Sequence, residues 1–444
     1  MCKSKFVLWG MAGCLLLAGA GLTSCEEEIV PQEVLPGDKD EPEDPSKPDE
    51  PDEPDVPVDP EEPEEPRPDI FVEVPEGGFE VPCNELLQVV PVVAEGASFE
   101  VEWSLDGAIL SKEASLLFYY PTETELVLRM RAVDKNGVQE PLEQEIPVRV
   151  VPTVKEFSPY IASVLDYRPA PGQFVNELPK YEKGDTREKM IRKVEERLAH
   201  NKRGLVTLGG FGGSVVFAFD HTVANVPGKA DFKVKGNAFG AGQGGPGSSA
   251  EPGNVWVAYD FNGDGVPNEE EWYELAGSVY GSEECVTNYK ITYQRPAADH
   301  KPVPGGDKEP WLVDKEYIAW KDNRGNTGFL PMLNFHQQSY FPEWIREKTL
   351  TFTGTRLPDV ASYNEATGNW DFHALEWGYA DNCPNNEAGS DLQIEWAVDK
   401  NGDRVYLPGI NFVKVWSSVN QVAGMTGEVS TDLIGADDLH LLNR

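Results

Sequence analysis

The chain has 444 residues, with 76 acidic and 38 basic side chains and a formal net charge of −38. Nucleic acids and anionic lipid surfaces bind clusters of Lys and Arg, so this charge argues against a nucleic-acid partner and against docking on lipid through a basic patch. The length allows two or three domains, one of them with a large core.

The first residues have the pattern of a secretory signal peptide. Two lysines precede an apolar run, Phe6–Leu22, that is short for a permanent membrane span. The run leads into Leu22-Thr-Ser-Cys25, which resembles a bacterial lipobox, and the acidic triplet after it resembles the surface-export signal of Bacteroidota lipoproteins. We therefore expect residues 1–24 to be removed, Cys25 to carry the lipid, and the protein to lie at the cell surface of the outer membrane. The lipid would be its only membrane contact.

Residues 25–70 form an acidic, Pro-rich segment. Between residues 26 and 70 there are 20 acidic and 3 basic side chains and 12 of the 36 prolines. Such a segment cannot bury enough apolar surface to offset its loss of conformational entropy, and its prolines and like charges favour an extended chain. We expect a disordered stalk; an acidic interaction tail is the alternative.

Residues 71–152 alternate apolar and polar side chains, as half-buried strands do. The alternation is clear at 101–105, 126–130 and 146–150, with hairpin signals at Asp106-Gly107 and Asn136-Gly137. The segment around Trp103 resembles PKD-like and immunoglobulin-like modules of bacterial surface proteins. We expect a small antiparallel β-sandwich with Trp103 in its core, acting as a spacer.

Residues 153–444 form the larger predicted domain, which begins with one helix. Asp185 and Glu188 make a capping box, apolar residues recur on one face, and Gly204 ends the helix. The apolar positions are Met190, Ile191, Val194 and Leu198. Strands are predicted at 214–219, 255–259, 289–293, 317–320, 349–353, 394–398 and 412–417. The class is mainly β, and we expect a jelly-roll-like sandwich with one N-terminal helix.

Residues 260–271 match the calcium-loop pattern D-x-[DN]-x-[DN]-G-x5-E. Calcium takes six to eight oxygen ligands, which such a loop supplies from alternate side chains, one carbonyl and a final carboxylate. The expected ligands are Asp260, Asn262, Asp264, the carbonyl of Val266 and Glu271, with Asn268 acting through water. The preceding strand and Pro267 disfavour an EF-hand, so we expect a structural calcium. An acidic Asn-Gly turn is the alternative.

Three cysteines remain after the predicted signal peptide and lipid anchor: Cys83, Cys285 and Cys383. None has metal-site spacing. Outside the cytoplasm an odd number leaves two interpretations open. Either Cys285 and Cys383 form a disulfide, or all three are buried thiols.

Aromatic side chains in loop-like segments are the candidate ligand contacts, since flat aromatic faces suit sugars and other large ligands. The candidates are Phe211, Trp272, Tyr273, Tyr340, Trp344 and Trp377. Core packing is the alternative for each. The six histidines are dispersed, and the chain contains no H-E-x-x-H or G-x-S-x-G motif. We therefore expect no catalytic residue and no enzymatic activity.

Several segments together resemble a family of Bacteroidota surface lipoproteins that carry a PKD-like module, the BtuH-type corrinoid (vitamin B12)-binding lipoproteins. These segments are Pro169–Asn176, Leu208–Ser214, Phe232–Phe239, Glu271–Gly277, Asn288–Tyr293, Gln337–Trp344, Gly427–Thr431 and Gly435–Leu439. The resemblance implies a protein that captures cobalamin or a related corrinoid for a TonB-dependent outer-membrane transporter. A carbohydrate-binding or adhesion lipoprotein is the second interpretation, and a secreted hydrolase is the third.

Overall fold

A computed structural model describes residues 68–240 and 248–442. The predicted signal peptide, Cys25 and nearly all of the predicted stalk lie outside the described residues. The two β-rich regions are named here the N-terminal sandwich, residues 70–151, and the large domain, residues 153–442. Within the described residues, no helix is both long enough and apolar enough to cross a membrane.

The N-terminal sandwich contains nine strands. They are β1 (Ile70–Phe71), β2 (Phe79–Pro82), β3 (Leu87–Val89), β4 (Val92–Val93), β5 (Phe99–Leu105), β6 (Ala108–Ser111), β7 (Leu116–Phe118), β8 (Thr124–Asp134) and β9 (Leu142–Val151). Five form one sheet in the order β2-β9-β8-β5-β6, in which β2 runs parallel to β9. The pairs β1-β4 and β3-β7 complete the region.

The alternating sequence pattern becomes the buried face of this sandwich. Trp103, Leu128 and Met130 are all fully buried in one apolar core that also takes residues from β3 and β7. The indole N–H of Trp103 donates a hydrogen bond to the carbonyl of Glu113 at 3.0 Å, so its polar atom is satisfied. Asp106 and Gly107 both have positive φ, as the predicted tight hairpin turn requires.

The large domain contains seventeen strands and two α-helices among the described residues. They are β10 (Ser163–Arg168), α1 (Arg187–Leu198), β11 (Val206–Thr207), β12 (Ser214–Ala224), β13 (Phe232–Lys235), β14 (Gly253–Ala258), β15 (Trp272–Leu275), β16 (Val286–Gln294), β17 (Leu312–Asp322), β18 (Thr327–Leu333), β19 (Thr349–Arg356), β20 (Ala361–Asn364), β21 (Asn369–Phe372), β22 (Asp391–Leu392), β23 (Ala397–Val398), β24 (Gly409–Ser417), β25 (Asp432–Leu433), β26 (Gly435–Asp438) and α2 (Leu439–Leu442). The mainly β class and the single long helix are confirmed.

Two antiparallel sheets dominate this domain. The larger has the order β10-β12-β24-β14-β15-β23, and the smaller has the order β18-β17-β16-β19. One face of the six-stranded sheet shares a core with α1, through residues such as Val413 and Met190. The opposite face sends Trp416 into the core of the four-stranded sheet. A Cβ at Gly354 would lie 1.0 Å from Trp416, so glycine at this position of β19 permits the two sheets to pack.

Three local predictions are wrong in detail. Thr186 caps α1, because its hydroxyl accepts the N–H of Lys189, while Asp185 instead pairs with Lys193 at 2.6 Å. The helix ends at Leu198, six residues before Gly204. Residues 394–398 are not one strand: a 3-10 turn occupies Ile394–Trp396 and only Ala397–Val398 pair in a sheet.

The N-terminal sandwich packs directly on the large domain. Tyr119 lies in the core of the large domain, and its hydroxyl hydrogen-bonds with that of Tyr259 at 3.0 Å in a buried position. The ammonium of Lys112 lies 5.6 Å from the ring centre of Tyr406. The sandwich is therefore attached by a buried contact as well as by the connecting chain.

Candidate functional site

An open cleft of about 640 Å³ lies at one end of the four-stranded sheet, where β17 and β19 finish and β16 begins. Its volume falls in the usual range of ligand pockets. We name it the Trp320 cleft. Its lining residues are Glu283, Glu284, Val286, Tyr289, Trp320, Asp322, Arg324, Asn326, Arg356, Pro358, Asp359 and Asn420.

Trp320 forms a half-buried aromatic wall of the cleft. It stands in β17 directly opposite Gly328 in β18. A Cβ at Gly328 would lie 2.5 Å from Cζ2 of the indole ring, so the ring occupies the space that any larger residue would need. Glycine at residue 328 therefore leaves the space in which the Trp320 ring lies.

The floor of the cleft is a hydrogen-bonded group centred on Tyr289. Its hydroxyl donates to Oδ2 of Asp322 at 3.1 Å and accepts from Nδ2 of Asn420 at 3.0 Å. Asn326 donates to Asp322 through its backbone N–H at 2.7 Å and through its side chain at 2.8 Å. Partial burial opposes ionisation, but these hydrogen bonds hold the pKa of Asp322 below its ordinary value. Burial raises the pKa of Tyr289 to about 12, so the phenol stays neutral.

Arg356 lines a second side of the cleft. Its guanidinium is paired with Asp359 and lies 5.7 Å from the ring centre of Tyr289. Its Nε is buried and has no hydrogen-bond partner in the described residues. The cleft thus combines an aromatic wall with amide, carboxylate and guanidinium groups that can hydrogen-bond to a ligand.

Two of the six predicted aromatic contacts are core residues. Phe211 and Tyr340 are fully buried. Phe211 packs edge-on against Tyr289 at 5.0 Å, behind the cleft floor, and the hydroxyl of Tyr340 accepts the N–H of Leu333. Neither presents a face to solvent in this structure, so both fit the core-packing alternative.

The other four predicted aromatics are half-buried and lie apart from the cleft. Trp344 stacks on Tyr167 at 5.8 Å, and Trp377 packs against Trp396 at 4.6 Å. Trp272 and Tyr273 belong to β15 and pack on core residues of the six-stranded sheet. The structure therefore does not bring the predicted ligand contacts into one site.

The predicted calcium loop is closed by its own hydrogen bonds. The two carboxylate oxygens of Asp260 accept the backbone N–H groups of Asp264 at 3.1 Å and Gly265 at 2.9 Å. Glu271 folds back on the loop and accepts the N–H groups of Phe261 at 3.2 Å and Asn268 at 2.9 Å. The carboxylates at the first and last positions of the pattern, Asp260 and Glu271, therefore both hydrogen-bond to backbone N–H groups of this loop.

Three of the predicted ligand oxygens surround one atom of this loop. Nδ2 of Asn268 lies 3.4 Å from Oδ2 of Asp264, 3.3 Å from the carbonyl of Val266 and 3.3 Å from Oε2 of Glu271. No group of three or more His, Cys, Asp or Glu side chains in the described part of the chain is placed to hold a metal ion. The calcium site therefore stays a prediction.

A simpler acidic turn elsewhere in the domain offers a comparison. Asp399 accepts the N–H groups of Asn401 at 2.8 Å and Asp403 at 2.9 Å, as the side chain of an aspartate does in an Asx-type turn. This turn lacks the glutamate at the twelfth position. It provides a matched control for the loop at Asp260.

The described residues contain no disulfide, so Cys285 is not bonded to Cys383. Cys83 and Cys383 are buried, as the second interpretation expects, but Cys285 is only half-buried. Burial raises the pKa of the Cys285 and Cys383 thiols.

A buried group of acids in the large domain was missed by sequence reasoning. This buried carboxyl cluster consists of the buried Asp381, Glu428 and Asp432 together with the half-buried Glu251. Both carboxylate oxygens of Asp381 accept hydrogen bonds. Oδ1 accepts the N–H groups of residues 237 and 238, and Oδ2 accepts the N–H of Asp432, each at 2.9 Å. Oε1 of Glu428 accepts an N–H at 2.7 Å, but Oε2 is buried and has no hydrogen-bond partner among the residues that the structure describes.

Charge in this cluster is not balanced by a base. Within the described residues, no Lys, Arg or His side chain hydrogen-bonds to any of the four carboxyls. Burial raises the pKa of Glu428 to about 8 and that of Asp432 to about 7. Burial and neighbouring carboxylates raise the pKa values of Glu251 and Asp381 as well. Burial therefore favours the protonated forms of these carboxyls.

Comparisons with known proteins identify no family. No family model matches the chain, and no curated protein matches it. Among solved structures, the fibronectin(III)-like modules of Clostridium thermocellum CbhA are 10% identical, with 59% of this chain and 90% of that chain covered and a TM-score of 0.17.

Two further solved structures show the same low similarity. A SusE-like protein is 8% identical, with 83% and 96% of the two chains covered and a TM-score of 0.20. A structure of carbohydrate-binding modules from the β-sandwich superfamily is 9% identical, with 85% and 98% covered and a TM-score of 0.15. Scores this low carry no argument about function, which must be made from the site itself.

Proposed function

We propose that the large domain binds a carbohydrate or a similar polyhydroxylated ligand in the Trp320 cleft. The observation that carries this proposal is the indole ring held over Gly328 at the wall of a polar cleft. Sugars have weakly polar faces that pack on aromatic rings, and hydroxyl groups that need donors and acceptors at the rim. The cleft supplies both.

The polar groups of the cleft are arranged before a ligand arrives. Asp322, Tyr289 and Asn420 hold one another through hydrogen bonds, so their side chains do not have to be ordered on binding. Preorganisation of this kind lowers the entropic cost of binding. A preorganised floor of this kind favours a ligand-binding role over a role as a spacer between other parts of the protein.

The test is saccharide binding by residues 26–444, the chain without the predicted signal peptide and lipid-bearing Cys25. A glycan array would find a ligand, and calorimetry would compare the wild type with Trp320→Ala and Gly328→Ala. We expect each variant to weaken binding roughly tenfold or more, because the first removes the aromatic wall and the second displaces it. Trp377→Ala removes a half-buried tryptophan outside the cleft and should leave affinity unchanged.

The proposal fails if no saccharide binds, or if Trp320→Ala binds as tightly as the wild type. Melting temperatures of all variants show whether a loss of affinity comes from unfolding. Gly328→Ala keeps the indole and every polar group of the cleft, so it separates loss of the ring's position from loss of the ring itself.

A corrinoid is the second candidate ligand, and the sequence resemblance to corrinoid-binding lipoproteins supports it. The same protein would be titrated with cyanocobalamin, whose visible absorbance reports binding directly. Binding of cyanocobalamin without any saccharide binding would replace the first proposal by the second. The TonB-dependent transporter expected as partner belongs to this proposal.

We also propose that the protein is a lipid-anchored protein of the outer-membrane surface, on the basis of the lipobox-like segment at Cys25. Replacing Cys25 by Ser would remove the lipidated thiol. We expect the Cys25→Ser variant to leave the membrane fraction. We expect added protease to cleave the wild-type protein on intact cells. Retention of the Cys25→Ser variant in the membrane would contradict the proposal.

For the loop at Asp260 we propose a structural calcium ion. Its oxygen-only donor set suits a hard cation, and three of the predicted ligand oxygens surround the amide nitrogen of Asn268. Asp260, Asn262, Asp264, Glu271 and the carbonyl of Val266 would hold the ion. It would stabilise the loop between β14 and β15.

A further inference from the structure

The Trp320 cleft has an unequal charge. Its lining contains four carboxylates, Glu283, Glu284, Asp322 and Asp359, and two guanidinium groups, Arg324 and Arg356, which gives four negative and two positive charges. A charged ligand therefore meets a net of two negative charges inside the cleft.

Two of the acids are already used within the protein. Asp359 is paired with Arg356, and Asp322 accepts hydrogen bonds from Tyr289 and from the turn that follows β17. These carboxylates hold the shape of the cleft. Their charge is partly compensated by the groups that contact them.

The other two acids stand unpaired at the rim. Glu283 and Glu284 are exposed, and neither forms an ion pair or a hydrogen bond within the described residues. Arg324 is the remaining unpaired base of the lining and balances at most one of them.

We infer that the Trp320 cleft selects neutral saccharides over anionic ones such as uronates, and that Glu283 and Glu284 determine this selectivity. An anionic ligand would bring its carboxylate close to Glu283 and Glu284, of which Arg324 balances at most one. At separations of a few ångströms in water, each contact is worth a severalfold change in affinity, and added salt screens it. Specificity here comes from repulsion of the wrong ligand.

This inference rests on the proposed saccharide binding. Its probes are neutral hexose tetrasaccharides of glucose, mannose and galactose, together with the C6-oxidised form of the one that binds best. Oxidation at C6 adds carboxylates while keeping the sugar backbone. At low ionic strength we expect the wild type to bind the oxidised form about tenfold or more weakly than the neutral form.

The deciding variant is Glu283→Gln together with Glu284→Gln. It should reduce the difference between the two ligands to threefold or less, chiefly by strengthening binding of the oxidised form, because the repelling charges are removed. Raising the salt concentration to 0.5 M should also reduce the wild type's difference in affinity between the neutral and oxidised ligands, by a factor on the order of five, because salt screens the charges. Glu316→Gln with Glu347→Gln, which removes two exposed glutamates outside the cleft, should preserve the difference.

The possible failures are distinguishable. If the wild type binds the neutral and oxidised forms equally, or the oxidised form more tightly, the selectivity is disproved while saccharide binding stands. The selectivity is also disproved if the variant Glu283→Gln with Glu284→Gln keeps the full difference in affinity between the two ligands. If none of the tetrasaccharides and no other saccharide binds, the proposed function itself fails.

Discussion

The N-terminal sandwich and the large domain place their ionisable side chains differently. In the sandwich, cross-strand pairs such as Arg129 with Glu145 lie on an exposed face, where ion pairs contribute little to stability. The large domain encloses acids and histidines, including the buried carboxyl cluster and His221, which lies between Asp220 and Asp438. The sandwich is therefore stabilised mainly by apolar burial, whereas the stability of the large domain also depends on protonation.

The largest effect expected is on the apolar core of the sandwich. Trp103→Ala removes a fully buried ring and leaves the carbonyl of Glu113 without its donor. We expect the free energy of unfolding to fall by about 5 kcal/mol in urea titrations, while ligand affinity at the Trp320 cleft stays the same in the folded protein. A loss below about 1 kcal/mol would contradict the assignment of Trp103 to the core.

The second prediction concerns the pH dependence of the large domain. The pKa of Glu428 is raised to about 8 in the folded protein, so the folded state keeps a proton that the unfolded state releases above its ordinary pKa near 4.5. The stability tied to this proton is present at low pH and is lost as the pH rises towards 8. At 1.36 kcal/mol per pKa unit, the titration of Glu428 alone should lower the free energy of unfolding by about 4 kcal/mol between pH 5 and pH 9.

Melting temperatures from pH 5 to pH 9 would check this. Asp432 and His221, whose pKa values are also raised, act in the same direction. Glu428→Gln should flatten the curve, since it removes one titrating group from the cluster. In the sandwich, hydrogen bonds lower the pKa values of Asp134 and Glu85, so hydrogen exchange in β8 and β9 should show no loss of stability over this range. Equal losses of stability in the N-terminal sandwich and the large domain would contradict the difference between the two regions.

The third prediction separates a calcium loop from an ordinary acidic turn. If calcium binds at Asp260, a concentration one hundred times its dissociation constant should stabilise the protein by about 2.7 kcal/mol, and EDTA should reverse the gain. Asp264→Ala should abolish the response. Asp403→Ala, in the turn at Asp399, should not. An identical response of the wild type and Asp264→Ala would refute the site.

The smallest expected effect is at the contact between the two regions. Tyr119→Phe leaves the buried hydroxyl of Tyr259 without its partner, which should cost about 1 to 2 kcal/mol. The double variant Tyr119→Phe with Tyr259→Phe should cost no more than either single change, because neither polar group remains. Additive losses in urea titrations would show that the two hydroxyls do not act as a pair.

Sequence reasoning identified the pieces with a local pattern. The alternation around Trp103, the hairpin at Asp106 and the helix containing Met190 are confirmed, because each depends on residues a few positions apart. The predicted strands at 214–219 and 412–417 are also confirmed and are longer in the structure.

The predicted ligand contacts illustrate the limit of that reasoning. Phe211 and Trp320 are both aromatic residues near glycines in the sequence, and the chain alone gave no means of ranking their exposure. The register of β17 against β18 places Trp320 over Gly328 and at the wall of the cleft. The packing of Phe211 behind Tyr289 removes it from solvent. A tryptophan that faces a glycine across a hairpin is a signal that could have been used.

By itself, the sequence determined the mainly β class, the core position of Trp103 and the acidic loop at Asp260, because each depends on short-range spacing. Only the tertiary structure decided the Trp320 cleft and the buried carboxyl cluster. The cleft joins residues from 283 to 420, and the cluster joins residues from 251 to 432. Strand pairing and sheet packing bring such distant side chains together, and burial then sets their pKa values, so neither site has a local pattern to read.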